Sequence, residues 1–118
     1  MNTMVTLYGI PNCDTVKKAK NWLTENNINS HFHDYKKQGI TTEKLTIWCQ
    51  RLGWENVLNK KGLTYKKLDD TTKSQINNEA TAIEFMLKAT SSIKRPIVET
   101  DKGLLLGFVV EQYEHAFL

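Results

Sequence analysis

The side chain best placed for chemistry is Cys13. It follows a β-rich stretch, Met4-Val5-Thr6-Leu7-Tyr8, and a short Gly9-Ile10-Pro11-Asn12 turn, and it opens a helical period. The first amides of a helix have no internal partners, and the macrodipole places about half a positive charge there. A thiolate at that point is stabilised, and its pKa falls below the free value of about 8.5. Lys17, four residues on, is expected to add a positive field, whereas Asp14 opposes it. The bland alternative is a small apolar side chain filling a gap near the sheet edge. Position at the tip of the first βα turn favours the nucleophile.

The other thiol, Cys49, reads differently. It lies beside Leu45, Trp48 and Leu52 on one face of an amphipathic segment, as a core residue would. A resolving role would need its Cα within about 7 Å of that of Cys13. His31, His33 and His115 and the two Cys show no ligand spacing, so no metal is expected. Net charge is +3, and the Lys pairs 17/18, 36/37, 60/61 and 66/67 are spread as solvated faces. That argues against a nucleic-acid groove. Only Arg51 and Arg95 carry the guanidinium fork suited to oxyanions.

The elements that must position Cys13 follow from the patterning. Val16, Ala19, Lys20 and Leu23, with Trp22 beside them, give a helix for which Asn12 is the expected N-cap. Asn26-Asn27 ends it, and His31–Tyr35 reads as a second strand, parallel to the first. Residues 41 to 91 read as a helical layer. It opens at Thr41-Thr42-Glu43, stops at Gly53, passes through a turn or short helix over 57–62, and resumes after Leu68-Asp69-Asp70. Residues 96–99 form a third strand, Asp101-Lys102-Gly103 a hairpin, 104–108 a fourth strand, and 110–118 a closing helix. The layout is βαβ, helices, then ββα: an α/β chain with a small mixed four-stranded sheet.

With 118 residues the chain fits one domain, 1–118, with the helical insertion at 41–91 inside it. No apolar run reaches the roughly 18 residues of a membrane helix. The segment Met1–Thr6 has no basic stretch leading into an apolar one. Both point to the cytoplasm, and a monomer is expected.

Leu7-Tyr8-Gly9-Ile10-Pro11-Asn12-Cys13-Asp14-Thr15, then Lys17-Lys18-Ala19 and Trp22-Leu23, resembles the opening of the arsenate reductase-like (ArsC/Spx) family. Phe32-His33-Asp34-Tyr35-Lys36, Leu58-Asn59, Gly62, Tyr65, Leu68-Asp69 and Ile93-Lys94-Arg95-Pro96-Ile97-Val98 fall where that family's landmarks fall. Cys13-Asp14-Thr15 with Trp48-Cys49, Gly53-Trp54 and Val57-Leu58-Asn59 is similar to the YffB branch of glutathione-dependent thiol reductases. The resemblance implies a thioredoxin/glutaredoxin-like fold with a helical insertion. It implies a catalytic Cys13 and a cis Pro96 facing the thiol and presenting backbone groups to a bound peptide or glutathione. Arg95 would pair a carboxylate of glutathione or an oxyanion, and Asn12, Pro96 and Ile97 would shape the cleft. Together with Lys17 these form the expected substrate- or glutathione-binding set. No bound cofactor is expected. Glutathione is the expected co-substrate and glutaredoxin a candidate partner.

Two departures bear on activity. Of the family's three arginines around the nucleophile only Arg95 matches, the others aligning with Asn59 and near Phe108, and the usual upstream His is replaced around Gly9. Val16 stands where the Spx branch has the second Cys of its Cys-x-x-Cys switch. The alternatives to a thiol reductase are thus an arsenate reductase coupled to glutathione and glutaredoxin, or an Spx-like regulator binding RNA polymerase.

Overall fold

The computed structural model describes residues 5–118. Met4, expected to open the first strand, and Met1–Thr3, read for the absence of a leader, lie outside them.

Residues 5–38 with 95–118 form one compact unit, built on a sheet, and residues 39–94 form another, built of helices with an isolated antiparallel bridge between Leu58 and Ile93. In the sheet unit β1 (Thr6–Gly9) leads into α1 (Asp14–Glu25), then β2 (His31–Asp34) and a single turn of helix, α2 (Tyr35–Gln38). After the helical segment come β3 (Ile97–Thr100), β4 (Gly103–Leu106) and α8 (Val110–Phe117). Strand order is β2-β1-β3-β4, with β1 parallel to β2 and antiparallel to β3, and β4 antiparallel to β3. The fold is α/β with a four-stranded mixed sheet and a helical insert.

Side-chain alternation sets what each sheet face carries. Leu7 and Val98 are cross-strand partners and point toward α1 and α8, where they join Val16, Ala19, Leu23 and Tyr113 in one buried cluster. Val16, Ala19 and Leu23 recur at three and four residues, so one stripe of α1 covers the sheet. Trp22 packs edge-on against Tyr113, with ring centroids 5.5 Å apart. Tyr8 and Ile97, the neighbouring pair, lie on the opposite face.

Gly9 ends β1 inside the ladder, paired with Asp34, rather than in the turn that follows. A Cβ there would sit 2.8 Å from Val16 Cγ2. The glycine therefore serves the close approach of strand end and helix start.

The helical unit contains α3 (Thr42–Leu52), α4 (Trp54–Val57), α5 (Leu63–Lys66), α6 (Asp70–Gln75) and α7 (Glu79–Lys88). Thr41 caps α3 by accepting from Lys44 N at 3.1 Å, and Gly53, at φ 90°, ends it. The helix expected after Asp70 is interrupted, because Asn78 and Thr81 form a reciprocal capping box that starts α7 afresh. α5 was not expected from patterning; its four residues are too few to show a period. Among the described residues, no helix is long and apolar enough to cross a membrane.

Candidate active site

Cys13 is itself the N-cap of α1, with extended backbone (φ −131°, ψ 121°) and its carbonyl accepting from Lys17 N at 3.0 Å. The expected cap, Asn12, is exposed in the bend before it and does not cap the helix. Displacement by one residue brings the sulfur closer to the unpaired amides than the sequence reading placed it. Sγ closes no formal capping hydrogen bond, since a neutral thiol is a weak acceptor. The amides of Val16 and Thr15 nevertheless favour its anion.

The half-buried Cys13 thiol sits below its ordinary pKa as a balance of opposed effects. Burial, the largest single influence, raises it. The Val16 amide, a hydrogen bond from the Arg95 guanidinium, the Arg95 charge and the Thr15 amide act the other way and together prevail. The structure thus brings together Cys13 and Arg95, which are 82 residues apart in sequence, through the chain entry into β3.

Lys17 is not among the groups that lower the pKa of the thiol. One-turn spacing makes two residues neighbours only when both are helical. Cys13 is extended, so the spacing alone does not make the two neighbours. Lys17 instead lines a cavity with Pro11, Val16 and Lys20.

The Arg95–Pro96 peptide bond is cis. Pro96 is buried, has no N–H, and its carbonyl accepts from Gly107 N at 2.8 Å. That bond uses one of the two lone pairs of the Pro96 carbonyl, the only hydrogen-bonding group its backbone has. Gly107, at φ 73°, is in turn held by Tyr113, whose buried hydroxyl donates to the Gly107 carbonyl at 2.7 Å. Tyr113 and Gly107 were missed by the sequence reading. A glycine between Leu106 and Phe108 was the available signal. Ile97 is wholly buried, paired with Tyr8 and Leu106. It supports the sheet at the site and offers no exposed cleft wall, a correction to the expected role.

On the same face as Ile97, Tyr8 donates to Glu99 Oε1 at 2.9 Å, and its ring lies 6.5 Å from that of buried Tyr35. Burial pushes the Tyr35 phenol far up, and the nearby Arg95 charge offsets only part of this. It stays a neutral hydroxyl. Among the described residues, no group of three His, Cys, Asp or Glu side chains could hold a metal ion.

Fold and site define a class: an α/β protein with a thioredoxin-like sheet and one polarised cysteine at the N-terminus of its first helix. The ArsC family matches residues 8–116, and the chain belongs to that family. An uncharacterised protein of Haemophilus influenzae is 40% identical over 114 residues, covering 97% of this chain and 99% of its own. The solved structure of a protein called YFFB is 46% identical, with a TM-score of 0.92, covering 97% and 99% of the two chains. An arsenate reductase (ArsC) related protein from Brucella melitensis is 44% identical, with a TM-score of 0.77 and coverage of 99% and 95%.

Proposed function

We propose that this ArsC-family chain is a cytoplasmic, monomeric thiol–disulfide oxidoreductase that uses glutathione, with Cys13 as its nucleophile. The observation that carries this reading is the convergence of Arg95 and the α1 amides on the Cys13 sulfur. The thiolate attacks one sulfur of a disulfide, forming a mixed disulfide and releasing the other sulfur as a thiolate. Val16 occupies the position from which a local second thiol would act, so resolution is intermolecular. With glutathione on Cys13, a second glutathione thiolate attacks the glutathione sulfur, yields oxidised glutathione and returns Cys13 as thiolate. Glutaredoxin is an alternative resolving partner. Arg95 pairs a glutathione carboxylate during this exchange, and the Pro96 turn shapes the pocket beside it.

A single guanidinium at the sulfur favours a disulfide over arsenate, whose mono- and dianionic forms near neutral pH call for more than one cation when they approach a thiolate. Spx proteins of Streptococcus pyogenes, 26% identical over 108 residues, are named as global transcriptional regulators. Val16 leaves this chain without a local dithiol switch.

Mass spectrometry after exposure to oxidised glutathione tests the reading. One glutathione on Cys13, removed by excess reduced glutathione, is the expected result. An unmodified Cys13, or arsenate turnover exceeding disulfide turnover under the same conditions, would overturn it.

A further inference from the structure

A cavity of about 590 Å³ opens between α1 and the corner where β2 runs into α2. That volume falls within the range of about 300–1,000 Å³ typical of small-molecule sites. Cys13 does not line it, and the oxidoreductase reading gives it no task.

Its chemistry is two-sided. Pro11, the buried side chain of Val16 and the half-buried ring of Phe32 supply apolar surface. Around them stand three ammonium groups. Lys17 and Lys20, three apart on α1, project from one helix face, and Lys37 comes from α2. Lys20 Nζ lies 5.7 Å from the centroid of the Phe32 ring, so charge and apolar surface meet at one point.

Among the described residues of the lining Asp34 is the one acid, which leaves the three ammonium groups in excess. It is 7% exposed, and its Oδ1 accepts the backbone amides of Lys36 at 2.8 Å and Lys37 at 3.4 Å. These bonds hold that oxygen at the start of α2. The sheet unit as a whole holds seven basic and seven acidic residues, so the excess of ammonium groups here is a local concentration.

We propose that this cavity binds a small amphipathic organic anion. A ring or short hydrocarbon body packs on Pro11, Val16 and Phe32, and a sulfonate, carboxylate or phosphate head lies among Lys17, Lys20 and Lys37. The inference is independent of the chemistry at Cys13.

The probe is 8-anilinonaphthalene-1-sulfonate, titrated by fluorescence into the full chain and mapped by amide chemical shifts. Saturable one-to-one binding is expected, with the largest shifts at Val16, Phe32 and Gln38. The uncharged analogue N-phenyl-1-naphthylamine should bind more weakly. The double variant Lys17→Glu/Lys37→Glu should lose about tenfold or more in affinity, because reversed charges then face the head group. Lys18→Glu/Lys36→Glu makes the same change in net charge outside the cavity and should retain wild-type affinity within about threefold. If the cavity pair misfolds, Lys17→Gln/Lys37→Gln carries the comparison, and the wild-type shift map needs no variant. Equal weakening by both pairs, shifts centred elsewhere, or no saturable binding would each overturn the proposal. Persistence of binding in Cys13→Ser separates it from any failure of the oxidoreductase reading.

Discussion

At Cys13 the outcome depends on a contest between burial and polarity. Desolvation alone would push the thiol up, so the net fall rests on groups that can be removed one at a time. Arg95 is the removable one. In Arg95→Ala, the midpoint of iodoacetamide alkylation against pH should rise, and the rate at pH 7 should fall. Arg95→Lys should lie between, keeping a charge but not the fixed fork. An alkylation profile unchanged in Arg95→Ala would show that the helix amides suffice. The same shift carries a stability consequence. A thiol whose folded pKa lies below its unfolded value stabilises the fold fully above the unfolded value, about 8.5, and loses that contribution as pH falls through the folded one. The stability gap between wild type and Arg95→Ala should therefore be larger at pH 9 than at pH 6, as denaturant titrations at the two pH values would show.

Two contacts between elements hold the Cys13 turn and the Pro96 turn in place. Gly9→Ala would set a methyl 2.8 Å from Val16 Cγ2, in a β-branched side chain that cannot swing aside. The expected cost is about 1–3 kcal/mol by denaturant unfolding, as for other overpacked cores. Tyr113→Phe removes the donor to Gly107, leaving a buried carbonyl unsatisfied, and should cost about 1–3 kcal/mol. Since Gly107 N also holds the Pro96 carbonyl, the exchange proposed above for Cys13 should slow in this variant as well. These two cases mark where sequence reasoning reached and where it stopped. Strands and long helices were legible because their periods are local, and Thr41, Gly53 and the Asp101–Gly103 hairpin announced themselves. Cys13 was legible as the opening of a helix. Its exact place as the cap, the absence of Lys17 from the groups that lower its pKa, and the relay from Tyr113 through Gly107 to Pro96 were not. They depend on backbone conformation and on contacts between residues far apart in the chain. Arg95 could be placed at the thiol only by resemblance, since nothing in its local spacing points there.

For the molecule as a whole, the two thiols should behave as different functional groups. Cys49 is 3% exposed within α3, and burial pushes its thiol up to about 11, with the Glu79 carboxylate adding to the rise. At pH 7.5 its thiolate is a population of only about three in ten thousand by the ordinary titration relation, and that fraction is shielded from reagents. Cys13 has the opposite environment: half-buried, and held below the ordinary value by a guanidinium and helix amides. A chromogenic aromatic disulfide should therefore titrate one thiol per chain within minutes in native buffer, and two in guanidinium chloride. Cys13→Ser should reduce the native count to none and the denatured count to one, while Cys49→Ser should leave the native count at one. Because reaction at Cys49 requires opening of the helical unit, its slow phase in native buffer should accelerate with denaturant while that of Cys13 changes little. Two fast thiols in the native chain would mean that α3 does not shield Cys49, and none would mean that the field around Cys13 fails to hold its anion.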